Sequence, residues 1–191
     1  EHALLSLGAM QVGIPVVPVS PAYSLLSGDH QRLKALFELC SPGLVYVSDS
    51  GPFGPALAAL PLAGAELVTG TNSGAGPSAT AFSDLLATPA EGAVNRAFDA
   101  VGPETVAKIL FTSGSTGVCK GVINTHRMLC SNQKSLAPVW PFIEKVRPLL
   151  LDWLPWNHTF GGNHNFTLVL RNGGVMYIDA GKPLPELIEQ T

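Results

Sequence analysis

Residues 111–121 read Phe-Thr-Ser-Gly-Ser-Thr-Gly-Val-Cys-Lys-Gly, a run holding three glycines, four hydroxyl side chains and a single lysine. That composition suits a phosphate. Gly114, Gly117 and Gly121 let backbone N–H groups approach an anion closely, Thr112, Ser113, Ser115 and Thr116 add short donors, and Lys120 supplies a point charge. A flexible Gly/Ser linker has no need of a lysine at the end of a hydroxyl cluster set between apolar strands. The P-loop of nucleoside triphosphatases is the sharper competitor, but it requires Gly-Lys-Ser/Thr opening a helix. Here Cys119 precedes Lys120, Gly121 follows it, and strand-like Val122-Ile123 continues the chain. The usual magnesium-binding hydroxyl is missing, so this is a phosphate loop of another kind.

A second run, residues 151–165, concentrates Trp153, Trp156, Asn157, His158, Phe160, Gly161, Gly162, Asn163, His164 and Asn165. His158 and His164 stand six residues apart with no cysteine nearby, which is not a zinc-ligand spacing. No metal site is expected from the sequence. An isolated histidine is commonly a hydrogen-bonding core residue; the place of His158, just after Pro155-Trp156 and before Gly161, favours a loop-borne functional role. His126, which ends the strand-to-helix turn after the first loop, reads as structural or capping.

These runs need a frame. Residues 107–111 form an apolar strand entering the phosphate loop, Val122-Ile123 leaves it, and Asn124 or Thr125 can cap a helix to about residue 136. Upstream, residues 3–12 have helical spacing ended by Gly13, and residues 14–19 form a β-branched strand that Pro15 and Pro18 confine to an edge. Ser27 can cap a helix whose Leu33, Leu36, Phe37 and Cys40 make one apolar stripe, followed by a strand at 44–47. Residues 48–104 read as a loop rich in Gly, Ala, Pro and Ser, interrupted by a strand at 66–68 and a helix near residues 82–87. The last third gives a strand at 149–151, a helix at 163–170 ended by Gly173-Gly174, and a strand at 175–178. The alternation predicts an α/β fold of mainly parallel sheets flanked by helices.

Only 13% of the residues are charged and 46% are hydrophobic, against a usual charged share of about 25%. Much of the sequence therefore expects cover, and both ends of the 191 residues read as cuts through a larger domain. A net charge of −3 without a dense Lys/Arg run argues against nucleic acid or an anionic membrane as partner. Pro15, Pro18 and Pro21 rule against a membrane span in the uncharged stretch at 3–28. Cys40, Cys119 and Cys130 are an odd set without zinc spacing, which fits a reducing, cytosolic setting.

The strand Ile109-Leu110-Phe111 followed by Thr-Ser-Gly-Ser-Thr-Gly-Val-Cys-Lys-Gly-Val resembles the phosphate-loop signature of the adenylate-forming enzymes, the group of acyl-CoA synthetases, luciferases and peptide-synthetase adenylation domains. Cys119 departs from the proline common at its position. The resemblance extends from residues 3–49 to the block at 151–162, and the density of Trp, Asn and His there, with Tyr177 to Pro183, is most similar to feruloyl-CoA synthases. It implies the fold of part of a large N-terminal domain. It also implies ATP, Mg2+ and CoA as co-substrates or cofactors with a carboxylic acid, forming acyl-AMP and then acyl-CoA.

By the same resemblance Thr112, Ser113, Gly114, Ser115, Thr116, Gly117 and Lys120 hold ATP phosphates. His158 lies beside the acyl carboxylate and the α-phosphate, so Lys120 and His158 are the catalytic candidates. Trp156, Phe160 and Asn163 are candidates for the acid pocket beside His158, with core packing the alternative for each. The family's magnesium-binding segment, ribose-binding aspartate and mobile C-terminal domain are expected beyond Thr191, so residues 1–191 alone are not expected to catalyse. The alternatives are a non-catalytic nucleotide- or phosphate-binding module, or an adenylate-forming enzyme for another acid.

Overall fold

The computed structural model describes residues 1–72, 78–112 and 119–179. Helix α1 (His2–Gln11) ends at Gly13, as its spacing predicts. The expected strand at 14–19 is reduced to one residue: Val16 N–H donates to the Ala107 carbonyl, and the Val16 carbonyl accepts from Ile109 N–H, both at 2.9 Å. Pro15 and Pro18, lacking N–H groups, stop the ladder on either side.

A short helix α2 (Ala22–Leu25) precedes α3 (Gln31–Cys40), whose Leu36 is buried while Leu33, Phe37 and Cys40 are half-buried on the expected stripe. Ser27 does not cap α3 directly; its Oγ accepts from His30 N–H at 3.1 Å, forming the turn before the helix. Strand β1 (Leu44–Asp49) leads into α4 (Ser50–Ala58), where the Asp49 carboxylate accepts from Gly51 N–H at 3.0 Å. The sequence Ser-Gly-Pro-Phe-Gly-Pro conceals this helix, because Pro52 falls in the first turn, where no backbone donor is needed. Strands β2 (Glu66–Thr71) and β3 (Thr80–Ala81) complete a three-stranded sheet, parallel throughout, in the order β1-β2-β3. Helix α5 (Phe82–Ala87) falls where expected, and α6 (Gly92–Asp99) adds an exposed helix to the stretch read as loop.

The strands on either side of the expected phosphate loop, β4 (Val106–Thr112) and β5 (Lys120–Thr125), pair antiparallel, an exception to the mainly parallel pattern. Helix α7 (His126–Leu136) follows, capped by Thr125, whose hydroxyl accepts from Met128 N–H at 3.3 Å; His126 is its first residue. Strand β6 (Leu149–Asp152) pairs in parallel with β7 (Val175–Ile178). Between them the helix expected at 163–170 begins earlier, as a π-turn over Phe160–Asn165 that runs into α8 (Phe166–Arg171). Gly173, at φ +60°, then ends the helix.

The core nearest the loop is small and specific. Met10 of α1, Ala107 of β4 and Leu129 of α7 pack together, with Leu7 and Val16 against them. This cluster anchors one face of the hairpin and leaves its other face for the site.

Candidate functional site

The hairpin register decides which side chains meet. Directly opposed residues of an antiparallel pair stand on the same face, and alternate residues of a strand share that face. Thr112 opposes Lys120, Leu110 opposes Val122, and Lys108 opposes Asn124, so all six lie on one face. At the open end, Thr112 and Lys120 stand together at the start and end of the segment read from sequence as a phosphate loop, both exposed. Of the other phosphate-binding residues expected from sequence, Ser113, Gly114, Ser115, Thr116 and Gly117 lie outside the described residues.

The closed end of the face carries the π-turn. Lys108 Nζ donates to the Gly162 carbonyl at 2.7 Å, and Asn163 Nδ2 donates to Asn124 Oδ1 at 2.9 Å. From α7, Gln133 Nε2 donates to the carbonyls of Asn163 at 3.4 Å and His164 at 3.2 Å. Four residue steps along β4 separate the two ends, a span of roughly 13 Å. The loop mouth and the turn that bears the second run thus share one rigid ribbon.

The π-turn is folded tightly onto the segment before it. Gly162 N–H donates to the His158 carbonyl at 2.9 Å, and a Cβ at Gly162 would sit 2.3 Å from the Trp156 carbonyl oxygen. Gly161 is similarly confined, 2.7 Å from the Pro155 oxygen. Only glycine admits so close an approach of backbone to backbone. The approach exposes His158 at the surface, its Nδ1 accepting from Phe160 N–H at 3.4 Å. In the neutral ring this places the proton on Nε2, the nitrogen free to meet a ligand oxygen.

The three pocket candidates part company here. Phe160 is 50% exposed, with its ring centroid 5.1 Å from that of His164. Trp156 is half-buried between Phe166 and His2, at 4.7 and 5.5 Å. Asn163 is buried, and its amide nitrogen is engaged by Asn124 and by Thr159 Oγ1 at 3.3 Å, which makes it part of the frame. Beneath them, Asp152 Oδ1 accepts from Leu154 N–H at 3.2 Å and from Asn165 Nδ2 at 3.0 Å. Asp152 Oδ2, Gln133 Oε1 and Asn163 Oδ1 are buried without a donor among the described residues. Such a concentration of incompletely matched polar groups is uncommon in a purely structural core.

Lys108 is the residue that the sequence pattern missed. It sits within an apolar strand, only 4% exposed, with the Phe166 ring centroid 5.5 Å from its ammonium. Burial lowers its pKa to about 8; burial, and then the Lys108 charge, also lower that of His2. The signal was available: one lysine in Val-Ala-Lys-Ile-Leu-Phe, on the face that alternation assigns to Leu110. The sign of the linkage is fixed by the folded value lying below the ordinary 10.5. The cost of burying the charge is fully present below about pH 8 and is relieved as pH rises toward 10.5. Wild-type protein is therefore expected to gain stability relative to Lys108→Met across that interval, measured by urea unfolding at a series of pH values. A pH-independent difference would place the ammonium in water.

No three His, Cys, Asp or Glu side chains among the described residues converge to hold a metal ion. No described helix is long and apolar enough to cross a membrane, and all three cysteines are free.

A family model described as AMP-binding enzyme matches residues 1–191. A long-chain fatty acid CoA ligase of Escherichia coli O6:H1 is 31% identical over 90 residues, which are 46% of this chain and 16% of that one. A methyl-dioxo-octahydroindenyl-propanoyl:CoA ligase of Rhodococcus jostii is 32% identical over 93 residues, 47% of this chain and 17% of that one. The crystal structure of ATP-bound MatB from Rhodopseudomonas palustris superposes with a TM-score of 0.67 at 25% identity, covering 99% of this chain and 34% of that chain. The chain therefore spans about a third of MatB and matches a smaller share of the curated relatives.

Proposed function

Because the chain belongs to the AMP-binding enzyme family, we propose that it is part of the large N-terminal domain of an ATP-dependent acid:CoA ligase acting on a hydroxycinnamic acid such as ferulate. The observation that carries this proposal is the shared hairpin face. It presents Thr112 and Lys120 at one end and docks the His158 turn at the other.

The first step joins two anions. The acid's carboxylate oxygen attacks the α-phosphorus of ATP, a new P–O bond forms, and pyrophosphate leaves with the electrons of the broken one. Lys120 and the loop donors offset the phosphate charge, while His158 Nε2–H meets an oxygen of the carboxylate or α-phosphate. In the second step the CoA thiolate attacks the acyl carbon and AMP departs. CoA ligase relatives and the ATP-bound neighbour support CoA and ATP as co-substrates.

Support for an aromatic acid comes from the rings around the π-turn. Trp156 packs against Phe166 with its ring tilted by 44°, and Phe160 stands exposed two residues after His158. Planar substrates gain by stacking on such surfaces. Asn163, held by Asn124, would fix the turn that carries these rings rather than touch the acid. A reducing, cytosolic setting belongs to the same proposal and is supported by the three free cysteines.

With the full-length enzyme, ferulate is expected to drive exchange of labelled pyrophosphate into ATP, and long-chain fatty acids are not. Exchange with fatty acids and none with ferulate would reject the aromatic substrate while leaving the ligase chemistry in place.

A further inference from the structure

Lys108 carries a charge into the interior with no acid paired to it among the described residues. Among the described residues, the ion pairs are Arg127–Glu104 and Arg171–Glu144, and neither involves Lys108. An ammonium buried in this way lowers stability unless its bonds do something the fold needs. Its ammonium donates to one carbonyl, that of Gly162, 54 residues away in sequence.

We propose that Lys108 is a positioning residue of the adenylation site, fixing through the Gly162 carbonyl how the turn carrying His158 sits against the strand that enters the phosphate loop. The proposal rests on the site reading given under Proposed function and extends it to a residue outside the motifs. Gly162 is bonded on both sides: its N–H donates to the His158 carbonyl at 2.9 Å, and its own carbonyl accepts from Lys108 at 2.7 Å. The backbone of His158 is thus tied through one residue, Gly162, to β4, on the face that ends at Thr112 and Lys120. The ammonium is confined by the Phe166 ring, with His2 of α1 the charged or titratable neighbour whose ionisation it suppresses. Asn124 and Gln133 hold the following residues but do not reach Gly162, so they cannot substitute for the lysine.

The test compares wild type with Lys108→Met, which keeps side-chain length and removes both charge and donor. In the full-length enzyme, kcat for pyrophosphate exchange is expected to fall ~10-fold or more, with the KM for ATP within ~2-fold, because misplacement of a reacting group acts on the transition state. Amide hydrogen exchange at Gly162 should accelerate relative to the amides of β1 and β2. An unchanged kcat with unchanged Gly162 exchange overturns the proposal. So does an acceleration spread evenly over all amides, which marks a residue that serves global stability only. If wild type exchanges pyrophosphate with no carboxylic acid, the ligase reading fails on its own, and the Gly162 amide still decides whether Lys108 holds the turn.

Discussion

Replacing Lys120 with alanine is expected to slow acyl-adenylate formation about 100-fold, a loss of about 2.7 kcal/mol in transition-state stabilisation. The magnitude follows from the step being anion upon anion: without a fixed cation the phosphate oxygens keep their full mutual repulsion with the incoming carboxylate. Lys120 is exposed at the first position of β5, and its backbone pairing with Thr112 survives truncation of the side chain. Stability should therefore move by no more than about 0.5 kcal/mol. The check is pyrophosphate exchange with the full-length enzyme at saturating acid, beside a thermal melt. Wild-type exchange kinetics would remove Lys120 from the phosphate site, and a parallel loss of melting temperature would mean that the lysine supports the hairpin.

What marks Lys120 as a candidate in the sequence is local chemistry. Glycines, hydroxyls and one lysine in a short run carry their meaning in composition, and the apolar strands on either side bracket it. The pairing of those strands is a different matter. Residues 106–112 and 120–125 look the same to a pattern reader whether they join neighbours in parallel or fold back on each other. Only the antiparallel register puts Thr112 across from Lys120 and Lys108 across from Asn124. In the same way α4 was hidden by Pro52, which its first turn tolerates, and by Pro55 inside it, and the strand at 14–19 shrank to Val16 because Pro15 and Pro18 have no N–H to give. The block at 151–165 announced chemistry by its Trp, His and Asn residues. Its sorting into an exposed His158 and Phe160, a half-buried Trp156 and a framing Asn163 depends on where two glycines let the backbone turn.

The stability cost of Lys108 and the three unmatched acceptors of Asp152, Gln133 and Asn163 lie in the same seam. A fold selected for stability alone would fill that seam with apolar side chains. Its polarity makes sense if several backbone carbonyls of the π-turn must be held at fixed positions, because hydrogen bonds locate atoms to a few tenths of an ångström and apolar packing does so less directionally. The π-turn itself fits that reading, since such turns widen a helix and re-aim the groups around it.

Gly162→Ala is the most direct probe of that arrangement. The new Cβ would lie 2.3 Å from the Trp156 oxygen and 3.1 Å from its carbonyl carbon, and both obstacles are backbone, which cannot rotate away as a side chain can. Restoring ordinary contact requires a shift of about 1 Å, which is expected to lower kcat about 100-fold if the turn sets the place of His158. Overpacking should also cost about 1–3 kcal/mol of stability. Gly8→Ala provides the contrast, since Gly8 lies inside α1 with no atom within 4 Å of its added Cβ. That variant is expected to gain about 0.5–1 kcal/mol through helix propensity, with activity unchanged. The two substitutions add the same methyl group, so an activity loss confined to Gly162→Ala isolates the close backbone approach as its cause. Equal activity in both variants would show that the turn yields without consequence, and His158 would then owe its position to something other than the Trp156–Gly162 contact.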